Sequence, residues 1–349
     1  MKQDEVKKLL FALRPFSKAH RKKAILQMIT SFVPFFLLWY ATYLAVIAGG
    51  YWYVAAGVGM IINAFFIVRV FIIQHDCGHH SFFGAKSPWN KYVGRVCSLV
   101  SSLPFTYWKT VHHHHHNHSG QLEERDIGDI NFWTLTEYVQ KSPIQRWLYR
   151  LFRSPVTLFF LAPLYYFLIT NRTPAYSAVP GKKHLVWWSK IRSNILLVAV
   201  YTLGVLLLGS AFLVVQLGTI YLFGVIAFWF FYVQHAHEYT YQKWHEKGQW
   251  SFADAALQGA SRYDLPTWLH WLTGNIGYHH IHHLNPVIPS YHLPAADQVA
   301  QKFELVNDKL TNLNIRASLQ TVKNKLWSEE DQRFITFREA HQRMSKKDE

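Results

Sequence analysis

The 349-residue chain contains two long stretches that lack any ionisable side chain. No Asp, Glu, Lys, Arg or His occurs at residues 24–68 or 193–234, which are runs of 45 and 42 residues. Because a helix needs about 20 apolar residues to cross the hydrocarbon core of a bilayer, each run predicts a pair of spanning helices. A helix pair buried in a soluble protein would carry charge on at least one face. The absence of charge therefore excludes an ordinary soluble protein and predicts an integral membrane protein.

Cysteine and acidic residues are also scarce. The two cysteines, Cys77 and Cys97, cannot build a disulfide framework. Acidic residues number 21 against 36 Lys and Arg, so the formal net charge is +15. Because the basic residues flank apolar runs and form no base-reading module, we expect an anionic membrane surface as their partner and no nucleic acid.

The basic N-terminal segment predicts the orientation of the chain. Residues 1–23 carry eight Lys and Arg, and the positive-inside rule places such a segment in the cytoplasm. A signal peptide is not expected, because the apolar run that follows is too long for one. Two helical hairpins then return the chain to the same side of the inner (cytoplasmic) membrane, so both termini are expected in the cytoplasm. The hairpins are predicted at 25–73 and 193–234, with helices at 25–49, 52–73, 193–208 and 213–234.

The rest of the chain predicts an all-α protein of one domain. Two weaker apolar stretches, 92–105 and 155–169, are expected to lie at the membrane interface or to be re-entrant. In the alternative, both stretches cross the membrane, and the chain still returns to the same side. No repeat or linker divides residues 1–349. We expect a box and interfacial region at 74–192 and a cytoplasmic helical cap at 235–349, with a helix at 310–327.

Histidine, in contrast, is abundant and clustered. Thirteen of the 21 histidines fall in three windows, at residues 75–80, 112–118 and 279–283. Because positions i, i+3 and i+4 share one face of a helix, each window can present several imidazoles in one direction. The predicted topology puts these windows and His235 on the cytoplasmic side. The candidate catalytic and metal-ligating residues are His75, His79, His112, His115, His116, His235, His279, His282 and His283.

The other histidines are not expected to bind the metal. Five lie in the windows but off the shared spacing, and are expected to support the ligands or to be exposed: His80, His113, His114, His118 and His280. Six scattered ones are expected to be solvated: His20, His184, His245, His270, His292 and His341.

The ligand type predicts the metal and its supporting residues. Imidazole suits Zn, Cu, Fe and Ni. Two iron ions best explain a membrane location, because oxygen activated between two irons can attack an unactivated C–H bond; zinc remains a physical competitor. A ligating histidine usually donates its other ring N–H to a carboxylate or carbonyl. The candidates for this supporting role are Asp76, Asp126, Asp129, Glu238, Asp264 and Asn275.

The three windows resemble the histidine boxes HxxxH, HxxHH and HxxHH of the membrane fatty acid desaturase family. They have the sequences HDCGH from His75, HHHHH from His112 and HHIHH from His279. The stretches FYVQHAHE, ALQGASRYDLP and GNIGYHHIHHLNPVIPSY, at 231–238, 256–266 and 274–291, resemble the bacterial acyl-lipid desaturases of the Bacillus type in particular.

This resemblance implies four spans under a cytoplasmic cap, a centre of two iron ions held by the nine histidines, and O2 as co-substrate. It implies cis double bonds placed in acyl chains, here those of membrane phospholipids. At the position of an Asn that is a metal ligand in animal acyl-CoA desaturases, this chain has Phe231. The HPGG motif of a fused cytochrome b5 domain is missing, so electrons are expected from a separate ferredoxin or flavodoxin, whose acidic surface the basic face would attract.

Two other functions remain as alternatives. A fatty acyl hydroxylase, an epoxygenase or a sterol- or carotenoid-directed oxygenase would share the same boxes, because hydroxylation and desaturation begin with the same hydrogen abstraction. A histidine-rich metal transporter is disfavoured, because an ion pathway needs ionisable residues within the spans and both charge-free runs have none.

Overall fold

A computed structural model describes residues 2–125, 127–174, 179–237 and 251–345. The described part is mostly helical. Its helices are α1 Lys2–Leu13, α2 Arg21–Ala48, α3 Trp52–Gly78, α4 Trp89–Val100, α5 Phe105–His118, α6 Leu135–Gln140, α7 Pro143–Phe152, α8 Ala162–Tyr165, α9 Lys183–Leu208, α10 Ser210–His235, α11 Phe252–Gln258, α12 Thr267–Leu272, α13 His279–Leu284, α14 Leu293–Ala300, α15 Glu304–Lys309, α16 Ile315–Thr321 and α17 Phe337–Ser345. Its strands are β1 Arg262–Asp264, β2 Asn312–Asn314, β3 Leu326–Ser328 and β4 Arg333–Ile335.

Four helices, α2, α3, α9 and α10, are long and apolar enough to cross a membrane, as the charge-free runs predicted. They form two hairpins that turn at Gly49 and Gly209, both of which have a positive φ that favours glycine. Helix α3 lies in the middle and packs against α2, α4 and α10. Helix α9 exposes apolar side chains along its length, which is consistent with a surface that faces lipid.

Two of the predicted helix ends need correction. Helix α3 does not end at residue 73 but continues to Gly78, so the first histidine window begins inside a spanning helix. Helix α9 begins at Lys183, ten residues before the predicted start at 193. Both extensions contain polar residues, so a prediction based on charge-free sequence leaves them out. A helix nevertheless continues past the hydrocarbon core into the membrane interface, where polar residues are tolerated.

The weaker apolar stretches form short or bent helices. Helix α4 has 12 residues, fewer than a crossing needs, and exposes Trp89, Tyr92 and Val96 on one face. Residues 157–170 are largely π-helical and contain Pro163. Together with α7 they are long enough for a fifth crossing, but a 62° bend separates the two parts. This geometry fits the predicted interfacial or re-entrant position.

The C-terminal part differs from the all-α prediction. The helix predicted at 310–327 is wrong in extent, because only α16 is helical there and β2 and β3 flank it. Strand β2 pairs in parallel with β1, and β3 pairs antiparallel with β4. Strands of three residues are too short to show an alternating pattern, so the sequence carries no signal for them.

The N-terminal helix packs on the third histidine window. Leu9 and Leu13 of α1 share a buried core with Ile281 of α13 and Ala296 of α14. Helix α1 therefore lies against the helix that carries the third histidine window.

Candidate metal centre

Four helices bring the nine predicted ligand histidines together. His75 lies in the last turn of α3, His79 directly follows that helix, and His235 is the last residue of α10. Helix α5 supplies three more of these histidines, and α13 supplies another three. Because the C-terminal end of a helix carries partial negative charge, the ends of α3 and α10 favour a cation at this position.

The nine histidines form two groups. In the five-histidine group one nitrogen of each ring lies within 4.8 Å of the others; its members are His75, His79, His112, His116 and His282. The Nε2 atom of His116 lies 3.0 Å from that of His112 and 2.9 Å from that of His282. Nitrogen atoms so close together match the donor atoms of one shared cation.

The second group lies beside the first. This four-histidine group consists of His115, His235, His279 and His283, again within 4.8 Å. The Nε2 atom of His279 lies 2.9 Å from that of His235 and 3.0 Å from that of His283. The rings of His116 and His283 stack with centroids 4.2 Å apart, so the two groups adjoin.

Burial keeps these imidazoles neutral. Desolvation, with smaller effects from neighbouring histidines, lowers the pKa of the ligand candidates outside the spans well below its usual value; they are His79, His112, His115, His116, His279, His282 and His283. A neutral imidazole has a free lone pair, which is the state that binds a metal.

Two hydrogen bonds orient rings toward the centre. His75 Nδ1 lies 3.1 Å from Asp76 Oδ1, and His235 Nδ1 lies 3.0 Å from the carbonyl oxygen of Gly259. Because both oxygens can only accept, each Nδ1 carries the proton and each Nε2 is left unprotonated. Within the described part of the chain, no protein group bonds the buried Nε2 of His75 or His79, or either nitrogen of His115. This donor set fits a pair of metal ions bound by imidazole.

The family follows from comparison with known proteins. The profile described as fatty acid desaturase matches residues 52–307, a range that contains all nine histidines. The chain belongs to the fatty acid desaturase family. The resemblance drawn from the histidine windows is thus confirmed, and the protein is an oxidoreductase whose family acts on lipid acyl chains.

Three relatives illustrate the range of the family. A fatty acid desaturase of Bacillus subtilis (strain 168) is 37% identical over 334 residues, which cover 95% of this chain and 91% of that protein. The sn-2 acyl-lipid omega-3 desaturase (ferredoxin), chloroplastic, of Helianthus annuus is 30% identical, over 66% of this chain and 52% of its own. The sn-1 oleoyl-lipid 12-desaturase of Synechocystis sp. (strain ATCC 27184 / PCC 6803 / Kazusa) is 26% identical, over 66% of this chain and 64% of its own.

Two of the predicted supporting residues of this desaturase meet at one loop. The second carboxylate oxygen of Asp76 accepts a hydrogen bond from the backbone N–H of Ser290, at 2.6 Å. Asn275 donates its side-chain N–H to the carbonyl of Ser290, at 3.0 Å. Asp76 thus contacts His75 directly, whereas Asn275 acts on the loop that holds Asp76.

The other predicted supporting residues do not contact a ligand histidine in the described contacts. Asp129 accepts a hydrogen bond from the backbone of Ile130, at 2.7 Å, and burial raises its pKa to about 7. Asp264 is exposed, and its partner is Arg262 at 3.8 Å. Asp126 and Glu238 lie outside the described residues.

Sequence reasoning missed a buried network behind the third window. His280, adjacent to the ligand candidate His279, is fully buried with its Nε2 3.0 Å from Asp297 Oδ1. Arg262 donates to the other oxygen of Asp297, at 3.3 Å. Burial by itself would raise the pKa of Asp297, but the bond from His280 and the charge of Arg262 hold it below its usual value. Asp297 lies in an ordinary amphipathic helix, so no motif marks it.

Two further histidines are buried. His270 was expected in solvent, but it is buried, accepts a hydrogen bond from Leu265 N–H at 3.3 Å and stacks on Tyr278. His237 was not singled out by the sequence, and burial lowers its pKa to about 3. Spacing alone does not separate a buried histidine from a solvated one.

Aromatic rings lie against both histidine groups. Trp108 stacks on His112, with centroids 4.5 Å apart. Phe231 lies 5.7 Å from His115 and 5.0 Å from His235. Phe231 therefore faces the four-histidine group without offering a donor atom.

Proposed function

We propose that this desaturase binds two iron ions through the nine histidines and uses O2 to place a cis double bond in the acyl chains of membrane phospholipids. The observation that carries the proposal is the pair of adjoining groups of five and four imidazoles, largely buried and gathered at the ends of two spanning helices. Zinc could occupy the same ligands, because it binds them more tightly than ferrous iron.

The unequal groups suggest where the reactants bind. The five-histidine group offers one more donor than the four-histidine group, and Phe231 adds none to the latter. Open coordination positions are therefore expected on the side of the four-histidine group. When bound, the metal pair supplies the oxygen activation and electron transfer of the overall reaction, in which –CH2–CH2–, O2, two electrons and two protons yield –CH=CH– and two water molecules.

The residues of the chain position and protect this reaction. Asp76 and the carbonyl of Gly259 hold the Nδ1 protons of two ligands, so that these rings present Nε2. Trp108 and Phe231 supply apolar surface beside the ligands, where a methylene chain can pack.

The substrate proposal rests on relatives and on the position of the site. Two of the relatives are named as acyl-lipid or oleoyl-lipid enzymes. The histidines lie at one end of the spanning helices, where the acyl chain of a lipid in the same bilayer can reach them without leaving the membrane.

The orientation proposal follows the distribution of charge. The basic N-terminal segment lies on the histidine side, since α1 packs on α13 and α14. The positive-inside rule then places both termini and the site in the cytoplasm. A small acidic ferredoxin or flavodoxin fits this face as electron donor, and one relative is named for ferredoxin. We also propose that residues 1–349 act as a single domain.

The test is expression in a host without endogenous desaturation, followed by mass spectrometry of total lipids with double-bond localisation. Phospholipids with cis-unsaturated chains are the expected result. Hydroxylated or epoxidised chains would favour the alternative oxygenase, and unchanged lipids with a functional electron donor would contradict the proposal.

A pair of variants links the product to the metal. His115→Ala should abolish the product and lower the iron content of the purified protein, because His115 belongs to the four-histidine group. His341→Ala, at an exposed position of α17, should change neither. Iron content unaffected by His115→Ala would remove this residue from the ligand set.

A further inference from the structure

Helix α5 carries a second set of histidines on a different face from its ligand candidates. At 3.6 residues per turn, the mean direction of His114 and His118 is turned about 130° from that of His112, His115 and His116. Their rings stack with centroids 4.1 Å apart. Glu124, in the short helical segment Leu122–Glu124 that follows α5, lies next to them.

A backbone hydrogen bond orients His118 as a ligand. His118 Nδ1 lies 2.9 Å from the carbonyl oxygen of His114, so Nδ1 must donate and Nε2 is left unprotonated. This is the arrangement by which protein carbonyls orient metal-binding histidines. A backbone bond thus prepares His118 for a cation without any help from the nine-histidine centre.

The spacing of the donor atoms matches a cation better than a direct bond. His114 Nε2 and Glu124 Oε2 are 3.9 Å apart, which is too long for a hydrogen bond. One donor atom from each of the three residues lies within 4.8 Å of the others. Ligands at ~2.1 Å from a tetrahedral Zn²⁺ are separated by about 3.4 Å, so rotation of the exposed Glu124 side chain and of the two stacked imidazole rings would complete the site.

We propose that His114, His118 and Glu124 form an accessory Zn²⁺ site, separate from the nine-histidine centre. Two imidazoles and one carboxylate are a common zinc donor set, and the partly exposed position leaves a fourth coordination place for water. Imidazole ligands suit zinc, whereas manganese prefers oxygen ligands. A bound ion would tie the last turn of α5 to the segment that follows it, and so stiffen the helix that carries the second histidine window.

The test uses the full-length protein in detergent micelles, loaded with iron, and Zn²⁺ as the probe in competition with a zinc-binding dye. We expect one Zn²⁺ per chain to bind while the iron content stays constant. Glu124→Gln and His118→Ala should each weaken this binding at least tenfold. Glu123→Gln, the same change on the neighbouring exposed carboxylate, should leave it unchanged.

Two outcomes would overturn the site. One is Zn²⁺ binding that is equal in the Glu124→Gln and Glu123→Gln proteins. The other is Zn²⁺ uptake matched by iron loss, which would locate the zinc at the nine-histidine centre. Because both Gln variants change an exposed side chain, folding is not at issue. The comparison between them is also valid if the main centre holds another metal.

A second readout separates a bound ion from nonspecific contact. Zn²⁺ at a hundredfold excess over its Kd should raise the unfolding temperature of the wild-type and Glu123→Gln proteins, since a ligand that binds only the folded state stabilises it. The Glu124→Gln protein should show a smaller rise at the same Zn²⁺ concentration, about half that of the wild type if binding is tenfold weaker. A rise of equal size in all three would contradict the proposal.

Discussion

Asp76→Asn tests how the protein orients a ligand of the metal centre. The two oxygens of Asp76 accept hydrogen bonds from His75 Nδ1, at 3.1 Å, and from the backbone N–H of Ser290, at 2.6 Å. An Asn side chain has one acceptor oxygen and one NH2 group. Because the backbone N–H can only donate, the amide oxygen must face Ser290, and the NH2 group then faces His75.

The changed partner affects the proton on His75. Opposite an NH2 group, Nδ1 of His75 is favoured as an acceptor, so the proton moves to Nε2 and covers the lone pair that would bind the metal. The buried charge-assisted hydrogen bond that is lost contributes about 1.5–3 kcal/mol. That energy corresponds to a roughly 10- to 150-fold weaker metal affinity, in the range found for residues that orient ligands.

The assay is anaerobic Fe²⁺ titration of the purified apo protein against a competing chelator, with lipid unsaturation in expressing cells as a second readout. Asp264→Asn is the matched control, since Asp264 is exposed and pairs only with Arg262 among the described contacts. Asp76→Asn should raise the Kd for Fe²⁺, and excess iron should restore part of the activity. Wild-type affinity in Asp76→Asn would refute the proposed orientation of His75.

Three more predictions concern the stability of the protein and its electron supply. Gly128→Ala should lower the free energy of unfolding by about 1–3 kcal/mol, because φ is +77° and the new Cβ would lie 2.9 Å from Val111 Cγ1. Gly181→Ala, with φ +70° and no described atom within 4 Å, should lower it less. Equal losses in the two variants, measured by thermal unfolding, would contradict the steric argument. Burial raises the pKa of Asp129 to about 7, so ionisation of this carboxyl group destabilises the folded protein. The destabilisation begins above the pKa of about 3.9 in the unfolded chain and grows until about pH 7. Because Asp129→Asn removes the charge, it should stabilise the protein more at pH 7.5 than at pH 5. Thermal unfolding at both pH values measures the change in stability, with Asp264→Asn as the control. A stabilisation by Asp129→Asn that is independent of pH would refute the prediction. Desaturation supported by an acidic ferredoxin should slow as salt rises, whereas the rate with an uncharged reductant should not; equal salt dependence would rule out electrostatic docking.

Some features were predictable because their signals are local in the sequence. A run without charge needs no knowledge of distant residues to predict a spanning hairpin, and both runs became helix pairs. The i, i+3, i+4 spacing likewise determines that His279, His282 and His283 share a side of one helix. The family resemblance rests on the same windows.

Other features depend on contacts between distant segments. His270 and His280 have nothing in their neighbouring sequence that separates them from solvated histidines, yet both are buried by packing. Asp297 supports the third window only because α14 folds back on α13. The short strand β2 exists only because β1, about fifty residues earlier in the chain, is there to pair with it.

The amino-acid sequence by itself determined that the chain enters a membrane and that its imidazoles occur in sets with helical spacing, because hydropathy and periodicity are properties of short segments. Only the tertiary structure decided that these imidazoles divide into groups of five and four, and which of them place their nitrogen atoms close enough to share a cation. His116 and His282 are 166 positions apart and lie 2.9 Å from each other. Such a distance is set by how whole helices pack, and packing depends on all of their side chains together.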